Sequence, residues 1–397
     1  MNYLFSSAMD KFQSSAVRDI LKLTQGKSII SFAGGLPAEE LFPLEAVQEA
    51  YDRVFAQGKG VLQYGLTEGC TPLREALCER MRGKGMNLTP NEMILTTGSQ
   101  QAIDLLTRVM IDPGDRILVQ EPTYLAALQV FQAAGAVVHS VKGDEDGMDP
   151  EDLAAKLKQH QPKFVYVVPT FSNPTGYVWS TERRLSLLKL CREHNALIIE
   201  DDPYGELQYG ADDHFPSILS LDEHPHGSAV VYTSTFSKTV APALRTGWAI
   251  GDPAIIRHMA RAKQAADLHS SSIDQLALYQ LLSHFDLDAH IRVIRREYGA
   301  RMKKMTTLLK PLAAAGLRWN EPKGGMFLWA QLPEHQRSDV LMKEAVQHGV
   351  AFVPGATFFA ENPKHNAMRL NFTHANDEQL TLGVERLAAA MKVLQNA

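Results

Sequence analysis

Cysteine is scarce in this sequence: three residues in 397, Cys70, Cys78 and Cys191. They form no CxxC pair and show no metal-ligand spacing, so the sequence offers neither a disulfide framework nor a cysteine-based metal site, and free thiols in a reducing compartment are expected. No apolar run approaches the roughly 18 residues of a membrane span. The start, "MNYLFSSAMDKFQSS", lacks the basic and apolar regions of a signal peptide. Forty basic residues face forty-five acidic ones, for a net charge of -5, and no basic block stands out as a nucleic-acid surface. Low-complexity stretches and internal repeats are absent too. A soluble cytoplasmic protein with a substantial core is expected, and the length suits one large and one small domain.

What the chain does have is alternation. Strand-like runs occur at "MILTTG" (93–98), "RILVQEP" (116–122), "AVVHSV" (136–141), "FVYVVP" (164–169), "ALIIEDD" (196–202), "AVVYTS" (229–234) and "GWAIG" (247–251). Several are continuously apolar and β-branched, as strands buried on both faces should be. Helical patterns separate most of them, which predicts an α/β fold with a mostly parallel central sheet covered by helices. From about residue 254 the pattern turns helical. Strand-like "GGMFLWAQL", "VAFVPG" and "AMRLNF" and a final helix from Asp377 then suggest a smaller α+β domain. Near the start, "SSAVRDILKLT" (14–24) reads as a short helix with Ser14 or Ser15 as cap.

In an open α/β sheet, ligands bind beyond the carboxyl ends of the strands. Five such ends carry reactive or polar side chains: "GSQQ", "EPTY", "TFSNPTG", "DDPY" and "TFSK". Four of them also have a plainer reading. Ser99 could be an ordinary helix cap, although free N–H groups at a helix start also favour a phosphate. Pro174 and Gly176 make a turn whether or not Asn173 faces a cleft. The acids after "ALIIE" could serve a cap or a salt bridge, or meet a buried cationic donor such as a protonated pyridine nitrogen. Lys238 could be a surface lysine. Yet near a buried sheet end it would lose hydration, become a nucleophile and form a Schiff base with an aldehyde, with Thr235, Ser237 and Arg245 as phosphate donors nearby.

Taken in order, "GSQQ", "EPTY", "SNPTG", "DDPY" and "TFSKTVAPALRTGW" resemble the fold-type I aminotransferases that use pyridoxal 5'-phosphate, over essentially the whole chain. "SFAGGLPAEELFP", "LQYG", "IIEDDPY" and "PKGGMFLW" resemble the subgroup of 2-aminoadipate and kynurenine aminotransferases. The resemblance implies that Lys238 holds the cofactor and shuttles a proton. It implies that Asp201, with Asp202 as rival, pairs with the pyridine nitrogen. Tyr204 and Asn173 would bond the ring hydroxyl oxygen and Tyr124 would stack on the ring. Ser99, Gln100, Thr235, Ser237 and Arg245 would hold the phosphate. Arg369 would grip the substrate carboxylate, and Gly35 would leave room for substrate. Tyr64 would reach the neighbouring subunit's phosphate in a homodimer. Arg18, on the 14–24 helix with Val17, Ile20 and Leu21, would meet a distal carboxylate. The implied division is an N-terminal arm with part of the small domain (1–45), a large cofactor domain (46–285) and a small domain (286–397). The implied reaction moves an amino group from 2-aminoadipate, an aromatic or a large aliphatic amino acid to a 2-oxo acid such as 2-oxoglutarate. No metal, nucleic acid or membrane is implied. The rival chemistry is a β-lyase or other reaction at Cα on the same fold. A non-enzymatic sensor fused to a DNA-binding domain is disfavoured, because motifs already begin near residue 30.

Overall fold

β-Branched and aliphatic runs collapse into strands because their side chains can be covered on both faces. In this computed structural model, which describes residues 3–6, 20, 29–210, 215–223 and 227–396, the seven expected runs form one sheet. Its strands are β1 (Met93–Thr96), β2 (Arg116–Gln120), β3 (Val137–Val141), β4 (Phe164–Val167), β5 (Leu197–Asp201), β6 (Val230–Thr235) and β7 (Gly247–Ile250). The spatial order is β1-β7-β6-β5-β4-β2-β3. All neighbours are parallel except β7, which runs antiparallel to both β1 and β6.

The direction of winding reverses between β2 and β4, and there the sheet splays. Their pairing is limited to Leu118 with Val165 and Val119 with Tyr166. Past that point the Gln120 side chain substitutes for the backbone ladder. Its Oε1 accepts from the Val168 N–H at 2.9 Å and its Nε2 donates to Ser172 Oγ at 2.9 Å. A crevice at such a reversal is where open α/β sheets take their ligands.

A second sheet closes over that crevice. Its strands β8 (Arg318–Trp319), β9 (Phe327–Gln331), β10 (Val353–Pro354) and β11 (Ala367–Asn371) lie antiparallel in the order β8-β9-β11-β10. Ile30–Ser31 pairs in parallel with Val350–Ala351, so the chain just ahead of "FAGGLP" folds with the C-terminal part. Helix Leu287–Leu309 links the two sheets and gives way to a 3-10 turn at Lys310–Ala315, where Pro311 cannot continue the ladder. One continuous core spans both sheets, joining Val168, Phe171 and Leu207 to Met326, Phe327 and Phe372. Each ring buried there contributes about 1.5–3 kcal/mol. No helix among the described residues is long and apolar enough to cross a membrane.

Candidate active site

The β1 end comes first. Gly98 opens helix Gly98–Met110 at φ +73, and a Cβ there would stand 2.4 Å from Arg245 Nη2. Only glycine lets the guanidinium sit against the helix start. The cap residue Thr97 makes no side-chain cap bond; its hydroxyl pairs instead with Ser270 Oγ at 2.8 Å. The first-turn N–H groups around Ser99 and Gln100 are therefore left for an anion. Arg245 has a left-handed backbone at φ 44. Its Nη2 donates to the Thr97 carbonyl at 3.3 Å and its Nη1 to Ser237 Oγ at 3.4 Å.

At the β6 end, Thr235 Oγ1 donates to the Thr246 carbonyl at 3.0 Å and accepts from the Ser237 N–H at 3.2 Å. The single hydroxyl proton of Thr235 is thus engaged within the turn, and its oxygen also lies 2.9 Å from Ser237 Oγ, so both hydroxyls are tied together beside the Arg245 guanidinium. Next to them Lys238 Nζ donates to the Gly35 carbonyl at 2.9 Å. Burial, followed by the positive charges of Arg245 and Arg369, pushes its ammonium down to about 8.

The two acids at the end of β5 separate cleanly, since successive strand residues face opposite sides. Asp201 lines the same cavity as Lys238, whereas Asp202 lines a different one with Lys84 and Glu206 and accepts from Tyr232 Oη at 2.9 Å. Asp201 is 2% exposed. Its Oδ2 accepts from Tyr166 Oη at 2.6 Å, and its Oδ1 is buried without a partner. Burial raises its carboxyl to about 7, opposed by the Tyr166 bond.

Arg369 enters from β11. Its Nη1 donates to Asn173 Oδ1 at 2.6 Å and its Nη2 to the Ala33 carbonyl at 2.5 Å, while Nε has no partner. The guanidinium carbon lies 4.3 Å from the Phe327 ring centroid and 5.1 Å from that of Phe358. Burial lowers this group to about 10. A buried cation with an unpartnered N–H calls for an anionic ligand. Asn173 Nδ2 points to Tyr204 Oη at 3.5 Å, and burial raises the Tyr204 phenol well above its usual range. Burial also pushes Tyr124 up to about 12.

Together these groups surround a cavity of about 310 Å³. Gly35, Ser99, Gln100, Tyr124, Asn173, Asp201, Tyr204, Thr235, Ser237, Lys238, Arg245 and Arg369 all line it. Tyr64 does not; it is 78% exposed, with its ring edge-on to His269 at 5.8 Å. Arg18 lies outside the described residues, and of the expected helix 14–24 only Ile20 is described. Sequence reading missed Leu125, Val168 and Phe358 in the lining. It also missed Tyr166 and Lys263, which ties the Gly98 turn through Gln101: Lys263 Nζ donates to Gln101 Oε1 at 2.7 Å, as does the Thr97 N–H at 2.8 Å. Nothing in a buried apolar strand or an amphipathic helix flags such residues.

The donor set fits pyridoxal 5'-phosphate. The cavity pairs an amine of lowered basicity with a carboxylate oxygen in need of a donor, and adds an anion cradle that a Cβ on Gly98 would fill. Among the described residues there is no cluster suited to a metal ion.

Comparisons with known proteins agree. The family model "Aminotransferase class I and II" matches residues 27–387. The aromatic-amino-acid aminotransferase 1 of Thermococcus litoralis is 40% identical over 98% of this chain and 94% of its own. Two solved structures superpose closely. The kynurenine aminotransferase of Pyrococcus horikoshii, in complex with PMP, has a TM-score of 0.92 and 40% identity, covering 98% of this chain and 97% of its own. The alpha-aminoadipate aminotransferase of Thermus thermophilus, complexed with N-(5'-phosphopyridoxyl)-L-leucine, has a TM-score of 0.91 and 36% identity, covering 99% of this chain and 98% of its own. The chain belongs to the class I and II aminotransferases, the fold-type I enzymes that work through pyridoxal 5'-phosphate.

Proposed function

We propose that this aminotransferase takes the amino group of 2-aminoadipate, an aromatic or a large aliphatic L-amino acid and passes it to 2-oxoglutarate in two half-reactions. The observation that carries this reading is the placing of Lys238, Asp201 and Arg369 around one cavity. When bound, pyridoxal phosphate supplies an aldehyde for the amine and a ring that accepts the electron pair left at the substrate Cα.

The chain's own residues do the rest. Lys238, partly unprotonated near neutral pH, would hold the cofactor and could afterwards take up the proton released from Cα. Asp201 Oδ1 would accept a hydrogen bond from the protonated ring nitrogen, which would satisfy its missing partner. Ser237, Arg245 and the N–H groups at Ser99 and Gln100 hold the phosphate, with Thr235 keeping Ser237 in place. Tyr124 would cover the ring face, while Tyr204 and Asn173 would serve its hydroxyl oxygen. Arg369 binds the substrate carboxylate through Nε and its remaining N–H groups. Asn173 and Ala33 fix its plane meanwhile.

Leu125, Val168 and Phe358 give the cavity an apolar side suited to large side chains. Arg245, Arg369 and Lys238 are the cations of its described lining, and all three have duties above. A distal carboxylate therefore needs another cation, for which Arg18 is the candidate. The exposed Leu36, Leu62, Tyr64 and Leu66 support a homodimer in which Tyr64 serves the neighbouring phosphate.

The test is a screen of single amino acids against the loaded enzyme, reading conversion of the aldehyde form of the cofactor to its amine form. Conversion by 2-aminoadipate and by aromatic or branched donors, reversed by 2-oxoglutarate, is expected. Release of ammonia and pyruvate from a cysteine conjugate without any 2-oxo acid would favour the lyase instead.

A further inference from the structure

Tyr166 lies on β4 in the middle of the large sheet. It is 0% exposed and is not part of the cavity lining. Its strand neighbours Val165 and Val167 are plain core residues. Its hydroxyl nevertheless donates to Asp201 Oδ2 at 2.6 Å, the length of a charge-assisted bond. The ring cannot swing away, for Phe131 packs edge-on against it at a centroid distance of 5.4 Å. Desolvation and the Asp201 charge raise the phenol well above its usual range, so it remains a donor at every working pH. Asp201 has two oxygens and, among the described residues, one hydrogen-bond donor.

We propose that Tyr166 is a positioning residue that sets both the aim and the charge of Asp201. By occupying Oδ2 it leaves Oδ1 as the oxygen presented to the cavity. By donating, it favours the ionised carboxylate against the desolvation that favours the neutral one. A neutral carboxyl would supply no negative charge to keep a pyridine nitrogen protonated. The assignment rests on the reading of Asp201 as the ring-nitrogen partner. Its consequence is specific: one hydroxyl that touches neither cofactor nor substrate fixes how acid the solution can become before the cofactor loses its anionic partner.

Tyr166→Phe keeps the ring and its packing and removes the bond. Without the donor the Asp201 carboxyl holds its proton more tightly, so less of the apoenzyme carries the carboxylate at acid pH. Binding of pyridoxal phosphate to the apoenzyme should weaken roughly tenfold at pH 6 and much less at pH 8.5. The absorption of the bound cofactor should acquire a titration on the acid side that the wild type lacks. In the loaded enzyme kcat should fall with KM for the amino acid nearly unchanged. Equal weakening at both pH values would show a packing defect and overturn the proposal, as would a variant indistinguishable from wild type. Asp201→Asn and Asp202→Asn are the controls. If Asp201→Asn binds and absorbs as wild type while Asp202→Asn does not, the reading of Asp201 itself fails. If Asp201→Asn is impaired and Tyr166→Phe is not, only the positioning role falls.

Discussion

Arg369 and Asn173 are 196 residues apart in the chain, yet Nη1 of one donates to Oδ1 of the other at 2.6 Å. This bond joins the four-stranded sheet to the loop beyond β4 and, with the Ala33 carbonyl, holds the guanidinium plane while Nε stays buried without a partner. Arg369→Lys keeps the charge but loses both bonds and the planar fork. We expect kcat/KM for amino and oxo acids to fall roughly 100-fold, the worth of a hydrogen bond to a charged group. Cofactor affinity should be nearly unchanged. An equal loss of cofactor binding would show that Arg369 serves the cradle and not the carboxylate.

Gly98→Ala tests the cradle. The new Cβ would fall 2.4 Å from Arg245 Nη2, at a backbone φ of +73. The left-handed conformation alone costs an L-residue roughly 1–2 kcal/mol, and the guanidinium must also move. Titration of the folded apoenzyme with pyridoxal phosphate should show affinity weakened at least about tenfold. Affinity equal to wild type would mean that the phosphate sits elsewhere.

The lowered basicity of Lys238 predicts a pH dependence. In the apoenzyme the amine is half unprotonated at about pH 8, instead of near its ordinary 10.5. Capture of pyridoxal phosphate should accelerate as pH rises through 8 and then level. The same group makes apoenzyme stability rise with pH between about 8 and 10.5, because the unfolded chain holds the proton that the folded one has lost. Stopped-flow absorbance across pH 6–10 checks the first point. A rate still climbing at pH 10 would contradict it.

The sequence made the strand ends legible because buried parallel strands are nearly continuous apolar runs, and polar residues stand out where they stop. Lys238 stood out in this way, and β1 to β7 and the final helix from Asp377 followed from the apolar patterns, whereas Arg369, inside β11, was named only through the family resemblance. The choice between Asp201 and Asp202 was not, since a strand covered on both faces gives no pattern to say which side holds the ligand. Tyr166 was hidden for the same reason: in "FVYVVP" it looks like any core residue. Thr235 lines the cavity as expected, and only the fold shows that its hydroxyl also bonds the Thr246 carbonyl. Phe327 and Phe358, which flank Arg369, come from separate segments that only the fold brings together.

Tyr64 is the one described site residue outside the cavity, and its exposure suits a role in a second subunit. If the proposed homodimer forms, Lys238→Ala and Tyr64→Phe proteins, mixed and allowed to exchange subunits, should regain activity, because one site of each heterodimer would carry both native side chains. No recovery despite demonstrated exchange would place the Tyr64 role within its own chain or remove it.

The most direct measurement is borohydride reduction of the loaded enzyme followed by peptide mass mapping. The cofactor mass should appear on Lys238, and Lys238→Ala should fold, retain some cofactor and take no label. Prior exposure to an amino donor alone should abolish labelling of the wild type, and 2-oxoglutarate should restore it. Labelling of another lysine, or labelling indifferent to the donor, would contradict the account.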